Sequence, residues 1–224
     1  LFSKDEGLTV KSAERPKVVD LFAGAGGLSL GFEQAGFDVV AAVEIDPVHA
    51  AVHKFNFPNC EVFPVSIADI TGADILRKIG LKNGAVDVVC GGAPCQGFSL
   101  IGQRALDAPR NSFVREFVRI VGELRRKYFV FENVKGLTVG KHKRFLEEII
   151  AAFAEIQYDI HLPWRVLNAA DYEVPQDRQR LFLLGSLAGS ELPRYPAPIS
   201  HAAGKTNCGT PPGPTCNDAL SDLP

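Results

Sequence analysis

The sequence predicts an α/β domain built on a doubly wound, mostly parallel sheet of the Rossmann-like type. Short β-branched apolar runs alternate along the chain with segments of helical period, the pattern of strand–helix–strand units joined by right-handed crossovers. Runs such as Val86-Asp87-Val88-Val89-Cys90 and Tyr128-Phe129-Val130-Phe131 read as buried strands with helices on both sides. Glycines or acids stand at their ends, where open sheets of this kind hold their ligands. A chain of 224 residues is long enough for one such domain.

Residues 1–15 are polar and aperiodic and read as a tail. The domain opens with a strand over 18–22, a glycine turn, Ala23-Gly24-Ala25-Gly26-Gly27, and a helix over 28–36 closed by glycine. Glycines there let the backbone approach a ligand whose polar end meets the helix N-terminus. A dinucleotide fingerprint would continue G-x-G-x-x-G, but counted from Gly24 its third position is Ser29, which favours a smaller ligand. The second strand, over 37–44, ends in Glu44, where nucleoside-binding folds place a carboxylate for the ribose hydroxyls. Asp46 before Pro47 reads as the N-cap of a helix running to about residue 55. A third strand over 60–65 leads to Asp69, which either accepts an adenine amino group or caps the next helix, over 73–79.

The strand over 86–90 runs into Gly91-Gly92-Ala93-Pro94-Cys95-Gln96-Gly97-Phe98-Ser99. A cysteine held behind a proline at a strand's carboxyl end is placed as a nucleophile would be; taken alone, the segment leaves an inert buried thiol equally open. A polar stretch over 100–109 precedes a helix over 111–126, whose Phe113, Phe117, Ile120, Val121 and Leu124 recur at helical spacing and belong to the core. The strand over 128–134 carries Glu132 at its end, where it either faces the cysteine across a cleft or is a solvated turn residue; so apolar a run before it favours the first. Lys141-His142-Lys143-Arg144 opens a helix to about 153, as a solvated face or a phosphate contact. Strands over 158–167 and 181–185 flank Arg178 and Arg180, which either reach the cleft or form surface ion pairs. From Gly189 the periodicity gives way to proline and glycine, marking a linker or the start of another module, with one helical turn near 217–220.

The formal charge of −2 provides no global basic field, and five cysteines without C-x-x-C spacing predict no metal site. With no long apolar span or signal peptide, the expectation is a cytoplasmic protein without a membrane partner. No methionine occurs, even at position 1, so the expectation is a chain that starts inside a longer one. A glycine turn with a ribose acid points to an adenosine-containing cofactor. Cysteine, glutamate and arginine together point to covalent attack on an electron-poor ring such as a pyrimidine.

Four blocks, Asp20-Leu21-Phe22-Ala23-Gly24-Ala25-Gly26-Gly27, Gly92-Ala93-Pro94-Cys95-Gln96-Gly97-Phe98-Ser99, Phe131-Glu132-Asn133-Val134 and Gln176-Asp177-Arg178-Gln179-Arg180, occur in the order and approximate spacing of the DNA (cytosine-5) methyltransferases. Over residues 17–186 the sequence resembles that family, in its bacterial restriction-modification type. The resemblance implies the S-adenosylmethionine-dependent methyltransferase fold, S-adenosyl-L-methionine as methyl donor and a cytosine of double-stranded DNA as acceptor. Under it, Phe22 would stack on the adenine, Ala23 with Gly24, Gly26 and Gly27 would hold the methionine portion, and Glu44 would bind the ribose. Asp69 and the Ile70 backbone would read the adenine edge, while Ile45 and Pro94 would complete the cofactor contacts. Cys95 would attack C6 of the base, Glu132 would hydrogen-bond its N3 side and Arg180 its O2, so that C5 takes the methyl group.

Neither C5 nor C6 is reachable inside a stacked duplex, so the base would be flipped out at a cost of roughly a few kcal/mol. Gln96, Ser99 and Arg178 would support phosphate or the flipped base, and residues 96–111 would form a loop closing over DNA. The resemblance divides the chain into a tail (1–15), a catalytic and cofactor-binding domain (16–188), and a linker with the start of an incomplete target-recognition region (189–224). It implies a monomer, associated with the nucleoid through DNA. Competing readings are a tRNA cytosine-5 methyltransferase, a catalytically inactive DNA-binding relative, and a nicotinamide-dependent oxidoreductase, which would need the glycine that Ser29 replaces.

Overall fold

The computed structural model describes residues 14–94, 112–205 and 209–223, the Lys141 side chain excepted. Of the predicted tail only its end is included, where Arg15 donates to the carbonyls of Gly36 (3.0 Å) and Phe37 (2.7 Å). The strands are β1 (Lys17–Leu21), β2 (Asp38–Val43), β3 (Glu61–Phe63), β4 (Val88–Gly91), β5 (Tyr128–Val134), β6 (Tyr158–Ile160), β7 (Arg165–Asn168) and β8 (Gln179–Leu187). They form one sheet in the order β3-β2-β1-β4-β5-β8-β6, with β7 also paired to β8. The pairings from β3 through β5 are parallel; β8 runs antiparallel to β5, β6 and β7. The helices are α1 (Gly27–Gln34), α2 (Pro47–Asn56), α3 (Gly72–Lys78), α4 (Ser112–Leu124), α5 (Lys143–Glu155) and α6 (Cys216–Leu220).

Strand alternation sorts side chains onto two faces. Val19, Leu21, Val89, Phe129 and Phe131 pack in one cluster with Ile75 of α3, Phe117 and Ile120 of α4, and Ile149 and Phe153 of α5. Phe153 stacks on Phe129 with ring centroids 4.0 Å apart, and Phe117 meets Phe131 edge to face. On the opposite face Val18, Val88 and Cys90 meet Leu28 and Phe32 of α1.

The chain leaves β1 through α1 toward β2 and β3, then returns through α3 to β4 on the other side of β1. The order therefore switches between β1 and β4, and ligands of doubly wound sheets bind outside such a switch point. Here the backbones are close: a Cβ on Gly91 would stand 2.2 Å from the Leu21 carbonyl oxygen.

The strand predicted over 158–167 is two strands. Ile160 pairs with Gly185 and Arg165 with Phe182, so residues 161–164 bulge against only two residues of β8. Pro163, lacking an N–H, lies inside that bulge. After β8 the proline-rich segment packs back on the domain: Tyr195 donates to the Phe182 carbonyl (2.8 Å), and the amides of Ile199 and Ser200 donate to Asp171. Among the described residues no helix is long and apolar enough to cross a membrane.

Candidate active site

Beyond β1 the chain winds through three left-handed residues, Phe22 (φ 59°), Gly24 (φ 55°) and Gly26 (φ 103°). Phe22 carries a side chain in a region that costs of order 1–3 kcal/mol, a strain typical of ligand-holding turns. Its ring meets Phe113 edge to face at 5.9 Å. Gly26 has no room for a side chain, because a Cβ there would lie 2.2 Å from the Phe57 ring. As N-cap of α1 it supplies no side-chain acceptor, and of the first-turn amides that of Ser29 bears on the buried Asp20 carboxylate.

Glu44, just past β2, ties this turn to the next one. One carboxylate oxygen accepts the Gly24 amide at 2.9 Å and the other the Asp46 amide at 2.8 Å. Asp46 is the N-cap of α2, accepting from the amides of Val48 and His49, and those two donors hold its carboxyl below the usual range. Ile45 between them is exposed.

Of the two readings open for Asp69, the structure removes helix capping. Thr71 is the N-cap of α3, in a capping box closed by Asp74. Asp69 ends a 3₁₀ turn, Ile67–Asp69, and lines a hollow with Phe63, Val65 and Ile70. Arg119 of α4 fastens that turn, donating to the carbonyls of Ile67 (2.8 Å) and Ile70 (3.0 Å) while Glu116 and Glu123 hold its other nitrogens.

A cavity of about 540 Å³ opens beside the switch point. It brings together Phe22, Ala23 and Gly27 of the turn with Glu132, Arg178 and Arg180, and adds Asp20, Gly92 and Tyr172 to them. Asp69 and Ile70 belong to the separate hollow, and Pro94 is exposed at the end of the described strand tip. Cys95, Gln96 and Ser99, with the loop predicted over 96–111, lie outside the described residues.

Glu132 and Arg180 sit on adjacent strands, with Glu132 opposite Phe182 and Val134 opposite Arg180. Arg180 Nε lies 3.0 Å from Glu132 Oε1, both side chains being half-buried. Burial pushes the Glu132 carboxyl above its ordinary value, against the opposing pull of Arg180 and Arg178. Glu132 also explains Gly92, where a Cβ would come within 2.9 Å of Oε2. Beside it the buried Asn133, which sequence reasoning left without a role, donates to the Ala93 carbonyl at 2.9 Å and anchors the strand tip two residues before Cys95. Its signal was a polar side chain at the end of a run otherwise rich in aromatic and β-branched residues.

Residues 16–223 match the C-5 cytosine-specific DNA methylase family. The chain is 59% identical over 210 residues to the Type II methyltransferase M.XorII of Xanthomonas oryzae pv. oryzae, covering 94% of this chain and 47% of that protein. It is 38% identical to the Type II methyltransferase M.AquIA of a Picosynechococcus species, covering 93% of this chain and 89% of that one. A crystal structure from E. coli, assigned as a DNA modification methyltransferase encoded within a prophage, superimposes with a TM-score of 0.70 at 32% identity, covering 93% of this chain and 55% of its own. The chain thus spans about half the length of M.XorII.

Proposed function

The chain belongs to the C-5 cytosine-specific DNA methylase family, and on that footing we propose that it carries the catalytic and cofactor-binding part of a DNA (cytosine-5) methyltransferase. In this reading residues 16–188 are the catalytic and cofactor-binding domain, and 189–224 lead into a target-recognition region. The observation that carries the reading is the Glu132–Arg180 pair beside the glycine turn, an acid and a cation in one cavity with a cradle for a second ligand.

The donor set suits S-adenosyl-L-methionine, which supplies an electrophilic methyl group when bound. The side-chain-free positions at Gly24, Gly26 and Gly27 and the N-terminus of α1, which carries no side-chain cap, suit its amino-acid end. Each Glu44 oxygen already accepts one backbone N–H and retains a lone pair for a ribose hydroxyl. Asp69, free of a capping role, accepts the adenine amino group in the hollow it shares with Ile70.

The acceptor is a cytosine flipped out of double-stranded DNA into the cavity. Cys95 thiolate forms a bond to C6, and the electron pair displaced from the C5–C6 double bond moves onto the ring. Glu132, its carboxyl raised toward neutrality, holds a proton at N3, while Arg180 holds O2. C5 would then take the methyl group, leaving S-adenosylhomocysteine as a neutral thioether; the C5 proton passes to a base, its electron pair restores the C5–C6 double bond, and the S–C6 bond breaks to return the thiolate. Arg178 remains for phosphate or the extruded base.

The test is a covalent trap. The full chain incubated with S-adenosylmethionine and a duplex containing 5-fluorocytosine is expected to form an adduct at Cys95, because fluorine does not leave C5 as a cation. Mass spectrometry locates the bond. An adduct that survives Cys95→Ser removes the nucleophile from this reading, and an adduct on 5-fluorocytosine RNA but not on DNA transfers the substrate to RNA.

A further inference from the structure

Behind the glycine turn lies a buried polar chain that the proposed chemistry does not use. Asp20 of β1, Ser29 of α1 and His53 of α2 are all fully buried. Ser29 Oγ lies 2.7 Å from Asp20 Oδ2 and 3.0 Å from His53 Nε2. A serine hydroxyl has one proton to give. If it donates to the carboxylate, the contact with His53 exists only when Nε2 carries a hydrogen and donates to Ser29. By hydrogen-bond geometry His53 Nδ1 and Asp20 Oδ1 have no partner among the described residues, while the Cys90 thiol and the Ser29 amide also bear on the Asp20 carboxylate and the backbone at His53 bears on its own ring.

Helix α2 and the residue that caps its C-terminal end touch the turn at two points. Asn56 Nδ2 donates to the Ala25 carbonyl at 3.1 Å, and the Phe57 ring fills the space a Gly26 side chain would occupy. The His53 ring lies against Phe57 with centroids 4.7 Å apart. Three residues at one end of α2 thus bear on Ala25, Gly26 and Ser29 in turn.

We propose that His53 is a positioning residue for the glycine turn, donating from Nε2 to hold Ser29 against Asp20, so that α2 sets the shape of the cofactor cradle. The inference rests on the reading of that turn as a cofactor site. Burial holds the His53 imidazole below its ordinary value, keeping it neutral, and Asp20 titrates near 6, so both states hold at a pH of about 8.

The first test needs no substitution and no ligand. Long-range proton–nitrogen correlation spectra of the ¹⁵N-labelled full chain at a pH of about 8 are expected to show His53 as the Nε2–H tautomer, its signals identified by their loss in His53→Gln. An Nδ1–H tautomer overturns the proposal. The second test compares His53→Phe, which keeps a ring against Phe57 but donates nothing, with His53→Gln, whose amide puts a donor near Nε2.

Calorimetric affinity for S-adenosylhomocysteine is expected to fall about tenfold in His53→Phe, the scale of one lost buried hydrogen bond, and to return to within about threefold in His53→Gln. Folded variants that bind alike overturn the proposal; if His53→Phe does not fold, Ser29→Ala takes its place. Should the unsubstituted chain bind no S-adenosylhomocysteine, it is the cofactor reading that falls. Amide exchange over residues 24–30, faster in His53→Phe and restored in His53→Gln, then decides the positioning role, and unchanged exchange overturns it.

Discussion

Gly26→Ala separates two ways in which the glycine turn depends on glycine. A Cβ there would stand 2.2 Å from Phe57 Cε2 and 3.0 Å from two further ring atoms, and Phe57 is only 4% exposed, so the ring has nowhere to swing. Overpacking of this kind costs about 1–3 kcal/mol. The backbone at φ 103° adds about 1–2 kcal/mol for any residue other than glycine. Gly26→Ala is therefore expected to destabilise the chain by roughly 2–5 kcal/mol. Phe57→Leu alone removes part of the ring and costs about 1–3 kcal/mol. In the double variant the clash is gone while the backbone strain stays, so the two substitutions should cost about 1–3 kcal/mol less than they do separately. Urea unfolding of the four proteins, with slopes compared to establish a common unfolded state, measures that coupling. Additivity within about 0.5 kcal/mol would refute the claim that Phe57 shapes the turn.

Two further outcomes follow from groups around the same site. Burial, opposed chiefly by the Ser29 hydrogen bond, raises the Asp20 carboxyl from 3.8 to about 6. An acid raised in the fold favours its protonated form there, so its contribution is complete below pH 3.8 and is lost as pH climbs through about 6, a difference of roughly 3 kcal/mol. Asp20→Asn removes that dependence, so between a pH of about 4 and about 7.5 its stability should rise relative to the parent by that amount; parallel pH profiles would show that Asp20 does not titrate in this window. Arg119→Leu strips the Ile67 and Ile70 carbonyls of their donor, and is expected to cost about 1–3 kcal/mol and to speed amide exchange at residues 67–72. Unchanged exchange there would mean that the turn carrying Asp69 stands without α4.

The alternation of strand and helix was legible because each buried strand is a short β-branched or aromatic run with a glycine or acid at its end. Glu132 and Arg180 were legible singly, as polar groups at the edges of such runs, but their contact was not. It depends on β8 lying antiparallel beside β5, a pairing between segments far apart in the chain that periodicity does not encode. Asp69 was open to two readings although the deciding signal was present: Thr71-Gly72-Ala73-Asp74 is a capping box, and it assigns the cap of α3 to Thr71.

Helix α2 shows where periodicity misleads. Val48, Val52 and Phe55 form its most apolar stripe and would be turned inward by a hydrophobic-period argument, yet they are 67%, 40% and 86% exposed. The face it buries carries Ala50 and His53, with Phe57 just past its end. Burying an imidazole in place of valine costs desolvation, and the contacts that offset it are those His53 makes with Ser29 and the Phe57 ring. Ser29 stands where a dinucleotide fingerprint would have its third glycine, the residue that lets helix and strand pack closely. Here the hydroxyl joins α1 to Asp20 of β1 on one side and to His53 of α2 on the other. The departure from the glycine pattern and the inverted face of α2 are therefore one feature: the turn is held through hydrogen bonds from a neighbouring helix where a fingerprint fold relies on close packing.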